Sequence, residues 1–177
     1  MASIFCNVNQ PDFVQLDCGT ELGGIVAIGL IKGDQSPTLA NLREQSFWTT
    51  KLNASPQKYW VILDTRGSYP GGTPVEEDGF GRVPIQRTGA DHEATVEVRG
   101  VENNHNFMAA VNQSSNWKVV LVTADNMGLF IEDASVYAKI VVDQSIKSST
   151  RWSLSIKWSD DMSNPQTFEV PAAIFGE

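Results

Sequence analysis

At 177 residues and 19.4 kDa, with 41% hydrophobic and 19% charged residues, the chain has the make-up of one globular domain, not of a disordered or fibrous segment. Its 13 Lys and Arg against 21 Asp and Glu leave a net charge of -8 and a pI of about 4.7, which excludes general attraction to nucleic-acid phosphates or to anionic lipid. No apolar run approaches the ~20 residues that a membrane helix needs.

The opening MASIFCNVNQ has neither a basic start nor a long apolar stretch and does not read as a signal peptide. Cys6 and Cys18 are therefore expected as thiols, and the Asn112-Gln113-Ser114 sequon is expected to stay bare. Residues 1–24 read as an extended arm, because Asn7, Pro11, Asp17 and Gly19 interrupt every apolar run. The run 25–31 (IVAIGLI) is a strand between turn signals. Ser36 followed by Pro37 looks like a helix start, and Leu39, Leu42 and Phe47 share a stripe, so a helix is predicted over 37–50. Residues 58–64 (KYWVILD) form a second strand.

Residues 65–84 change character. Gly67, Pro70, Gly71, Gly72, Pro74, Gly79, Gly81 and Pro84 read as one long loop, which in a compact domain points to function. Tyr69, Val75 and Phe80 within it are more than a flexible linker needs. Residues 94–99 then alternate as a strand, and 103–112 read as a short helix with Phe107, Ala110 and Val111 on its stripe. Residues 117–123 and 129–133 form a hairpin around Ala124–Gly128, and 136–143 form another strand. In 151–159, Trp152, Leu154, Ile156 and Trp158 face one way and Ser153, Ser155 and Lys157 the other. Residues 167–170 close the series as an edge strand before Pro171. The pattern predicts an α+β, mainly β chain: an antiparallel β-sandwich or barrel with one or two flanking helices and a long Gly/Pro-rich loop, in a single domain over 1–177.

Catalytic signatures are absent. There is no phosphate loop, no GxSxG elbow and no HExxH, and the two glycines around Phe80 open no helix. The two histidines, His92 and His105, fall in unrelated segments and read as surface or capping residues; no metal site is expected. Glu76-Glu77-Asp78 and Asp160-Asp161 lack the spacing of a calcium loop and read as solvated turn charges. The five tryptophans read as core, although exposed they could stack on sugar rings.

The glycine-rich strand from Asp17 to Ile31, the helix at 37–50, the loop at 65–84 and the following antiparallel strands resemble phage virion structural proteins of the tail-tube, tail-hub or neck-ring kind. The segment also looks like small tail proteins of phages that infect Bacteroidetes. The resemblance implies a non-enzymatic protein without cofactors, located in the virion. It further implies a homo-oligomeric ring, six- or twelve-fold, that contacts neighbouring virion proteins and conducts the genome without specific nucleic-acid binding. On that reading Tyr69, Val75 and Phe80 anchor an assembly loop, and Glu76, Glu77, Asp78, Asp160 and Asp161 are candidate acids of the ring's lumen. Strands 129–133 and 136–143 carry few charges and are expected to serve as unprotected pairing edges. A carbohydrate-binding or adhesion module, such as a fibre or decoration protein, is the alternative, with an enzyme whose site sequence hides as a third reading.

Overall fold

Two strands of this protein are apolar on both faces because both faces are covered. In the computed structural model they are β1 (Ile25–Lys32) and β6 (Trp117–Thr123), paired antiparallel from Ile25 opposite Thr123 to Lys32 opposite Trp117. The structure describes residues 24–79, 81, 85–142, 150–160, 166–171 and 174. The predicted arm before Gly24, with Cys6 and Cys18, lies outside them, as do Phe80 and Asp161. The remaining elements are α1 (Leu39–Leu42), α2 (Gln45–Leu52), β2 (Tyr59–Ile62), β3 (Arg66–Ser68), β4 (Gly72–Asp78), β5 (Ile85–Val98), α3 (His105–Gln113), β7 (Met127–Val141), β8 (Arg151–Asp160) and β9 (Gln166–Glu169).

All strand pairings are antiparallel and belong to one sheet, and that sheet closes on itself. The circuit runs β1, β3, β5, β8, β7, β6 and back to β1. Closure gives every strand of the circuit a partner on each side over part of its length. β2 and β3 share one edge of β1: Tyr59–Ile62 lie along Ile31–Ile28, and Gly67 lies opposite Ile25. The corner between them includes Asp64 at φ 55, a left-handed turn position. The fold is the predicted mainly β class, in its barrel form.

The barrel interior holds Ile28, Leu30, Ala94, Val96, Val119, Leu121, Leu154 and Ile156, with Trp117, Trp152 and Trp158. A second core lies outside, where Ala27, Ile31, Val120 and Val122 turn away from the interior and meet Leu42, Trp48, Tyr59 and Phe168. β5 and β8 bury one face only, so they alternate. Their outer face pairs Glu93 with Lys157 at 3.5 Å and Glu97 with Arg151 at 2.8 Å.

Four sequence expectations are corrected. The helix at 37–50 is two helices. Thr38, not Ser36, is the N-cap and forms a capping box with Asn41. The chain then breaks at Arg43–Glu44, where the buried Trp48 indole Nε1 donates to the Leu42 carbonyl at 2.8 Å and takes the place of a helical partner.

The loop at 65–84 is chiefly strand. β3 pairs β5, and β4 pairs β5 from Gly72 opposite His92 to Asp78 opposite Ile85. Pro74 is tolerated because β4 is an edge.

The strands at 129–133 and 136–143 are one strand, β7. Its alternation resets at a bulge, where Trp117 faces Ala134 while Val119 faces Ile131. Its first half is not the open edge expected, since β6 pairs Gly128–Ala134 and β9 pairs Met127–Phe130; from Ser135 to Val141 β8 pairs one side, and the other has no strand partner among the described residues. At Ala138 the Asn112 side chain of α3 completes the ladder. Its Nδ2 donates to the carbonyl at 2.8 Å and its Oδ1 accepts from the amide at 2.7 Å. The sequon asparagine is thus a structural side chain.

Candidate functional site

The 14 residues of β5 divide between two environments. From His92 to Val98 the strand alternates buried and exposed side chains as part of the barrel wall. From Ile85 to Thr88 every side chain is exposed, and so is every residue of β4. β4 and the first part of β5 therefore form a two-stranded ribbon that buries neither face. β8 pairs β5 only from Ala90 onward, and β4 pairs only β5, so both long edges of the ribbon are open among the described residues. A hairpin of this kind is marginal in water on its own. Val75 and Ile85, 38% and 53% exposed, are its large apolar side chains. Glu76 and Arg87, directly opposite in the ladder, form an ion pair at 3.2 Å.

The ribbon is anchored at its foot. Gly72 lies opposite His92, and the imidazole covers the glycine so closely that a Cβ there would stand 2.3 Å from His92 Cε1. On its other side the imidazole stacks on Trp158, 5.0 Å between centroids and 3° between planes. Tyr69 packs on both rings and bonds His92 Nδ1 from its hydroxyl at 2.6 Å. Burial, and then the charge of Asp160, push the Tyr69 phenol above its ordinary pKa. The phenol therefore stays protonated through the neutral range, and its hydroxyl shares one hydrogen bond with Nδ1. Nε2 lies 3.1 Å from Asp160 Oδ2, off the line of a directed hydrogen bond.

This chain of tyrosine, imidazole and carboxylate resembles a proton relay, but its imidazole is held on both nitrogens. His92 is 4% exposed, Nδ1 is taken, and Nε2 faces the carboxylate. What the arrangement can do is hold Gly72 and the start of the ribbon against β8.

The sequence-predicted residues fall into three places. Val75, Glu76, Glu77 and Asp78 lie on the ribbon; Tyr69 and Asp160 lie at its foot; Phe80 and Asp161 are outside the described residues. Tyr69 is therefore an anchor within its own chain, not a free loop residue. His92 is buried in this cluster instead of lying at the surface, and the sequence signal for it was available only as its register against Gly72. Trp48, Trp117, Trp152 and Trp158 are buried, and Trp60 packs on Phe107 and Trp117. Among the described residues the aromatic side chain that does face solvent is Tyr137, 58% exposed on β7, which the sequence pattern does not mark. Among the described residues no group of three or more His, Cys, Asp or Glu is placed to hold a metal ion, and no helix is long and apolar enough to cross a membrane. No protein-family model and no curated protein matches the chain.

Proposed function

We propose that the protein is a non-enzymatic virion structural subunit that assembles into a ring, six- or twelve-fold, in a phage tail or neck. The observation that carries this reading is the β4–β5 ribbon: a rooted pair of strands with no buried face and two open edges. Such a surface is completed by a neighbour, because pairing along an open edge satisfies backbone groups that the chain itself leaves exposed. The barrel supplies a body that needs no partner, and the ribbon supplies the reach. Acids of the chain that ring closure turns toward the channel, with Glu76, Glu77, Asp78, Asp160 and Asp161 as candidates, would keep a passing genome from lodging by like charge. Lys157 and Arg151, cations of the outer barrel face, are paired with Glu93 and Glu97, which offsets their attraction to phosphate.

The test is to replace residues 74–87 by a tight turn. The shortened protein should keep its thermal midpoint and lose assembly in mass photometry and negative-stain imaging. Normal assembly without the ribbon refutes its role as the arm. A full-length chain that stays monomeric, alone and with neighbouring virion proteins, refutes the ring.

A further inference from the structure

The far end of β5 from the ribbon carries a feature of opposite charge. Where the β2–β3 corner meets the end of β5, a cavity of about 1110 Å³ is lined by Arg66, Arg99 and Arg151, with Asp64 and Glu97 as its acids. Half of the chain's arginines thus stand at one opening of an acidic protein. Glu97 is held by Arg151 at 2.8 Å. Arg66 and Arg99 are exposed and make no ion pair among the described residues. Leu63, 40% exposed, adds an apolar wall.

The ribbon is complementary in each respect. Its end carries Glu77 and Asp78, exposed and without an ion pair among the described residues, beside the apolar Val75 and Ile85. Cavity and ribbon end lie on one strand, with Glu97 and Ile85 twelve residues apart on β5. At a strand's rise per residue that is about 40 Å, so one copy cannot satisfy its own cavity. Two complementary patches at opposite ends of one molecule define a heterologous, head-to-tail contact, which closes into a ring or runs on as a filament.

We propose that the acidic end of the ribbon of one copy docks into the arginine-lined cavity of the next copy. This rests on the ring reading and specifies its contact. Arg66 and Arg99 take the carboxylates of Glu77 and Asp78, and Leu63 meets Val75 or Ile85. Arginine suits this role because its planar donors match a carboxylate in pairs.

The experiment uses the full chain in three forms: wild type, a cavity variant with Arg66→Glu and Arg99→Glu, and a ribbon variant with Glu77→Lys and Asp78→Lys. Wild type should assemble in mass photometry at ~50 mM salt and lose assembly as salt rises to ~500 mM. Each variant alone should be monomeric, since its two patches now carry like charge. An equal mixture should assemble again, because each variant's ribbon then fits the other's cavity. Should the cavity variant fail to fold by circular dichroism, Arg99→Glu alone, beyond the end of β5, carries the same test.

Variants that assemble like wild type overturn this contact and leave the ring reading standing. Two monomeric variants whose mixture stays monomeric overturn the pairing of these patches. A wild type that never assembles overturns the ring reading and this contact with it.

Discussion

The barrel wall and the ribbon are built from the same strand, yet they are held by different forces. Along β8 and the inner half of β5 each second side chain enters the core, and the ladder is secured by burial. Along β4 and the outer half of β5 the ladder continues with nothing buried, and its security is borrowed from Tyr69, His92, Trp158 and Asp160 at the foot. Hydrogen-bonded pairing therefore extends further than folding free energy does. A segment can be regular in shape and still contribute little to stability.

The largest expected effect breaks the wall. Trp158→Ala removes a ring that is 7% exposed and belongs both to the interior and to the stack under His92. It should cost about 3–5 kcal/mol in chemical denaturation. Val75→Ala on the ribbon should stay within about 0.5 kcal/mol of wild type. Similar losses for the two would erase the distinction between wall and ribbon.

Gly72→Ala attacks the joint. The new Cβ would overlap the imidazole, so His92 must leave Trp158 or the strand must shift. We expect a loss of about 1–3 kcal/mol by thermal denaturation, as for an overpacked core. No loss would show that the imidazole is not a fixed cover.

Asn112→Ala tests how the wall guards its own edge. It removes both hydrogen bonds at Ala138 and should cost about 1–3 kcal/mol, with faster amide exchange at Ala138. Unchanged exchange there would mean that the asparagine is not what completes the ladder.

The smallest effect is alkaline. Burial raises the phenols of both Tyr59 in the outer core and Tyr69 at the foot above their ordinary value of 10.0. A raised folded value means that the proton-bound form is favoured by folding. The stability this contributes is complete below the unfolded value and is lost as pH rises through the folded one. Tyr69→Phe should flatten the loss of stability above pH ~10 relative to wild type. An identical profile for the two proteins would remove Tyr69 from the joint.

What was legible in the sequence follows the same division. Arg151–Asp160 alternates because one face is wet, and β1 and β6 read as continuous apolar runs because neither is. Burial writes itself into composition, so those strands were found. The ribbon's sequence reads as a loop because Gly71, Gly72 and Pro74 are loop residues wherever pairing does not hold them, and pairing with β5 leaves no periodic mark when both faces are wet. The helix break was hidden for another reason. It depends on one indole reaching one carbonyl across the gap between α1 and α2. The burial of His92 leaves no mark in the sequence because its cover, Gly72, is a neighbour only through register.

Closure of the barrel has a further consequence, for synthesis. Ile25 meets Thr123, so the first strand described must wait for most of the chain before its second edge is filled. β2 arrives early and occupies one side of β1, while the other side stays bare until β6 emerges. A nascent chain that stops short of Trp117 therefore presents an apolar strand with unpaired amides and carbonyls, the template on which polypeptides aggregate. Contacts between strands this distant in sequence also slow the folding of a finished chain, because the intervening loop must be ordered before the ladder repays it. Translation products that stop before Trp117 should partition into the pellet more than the 177-residue chain does.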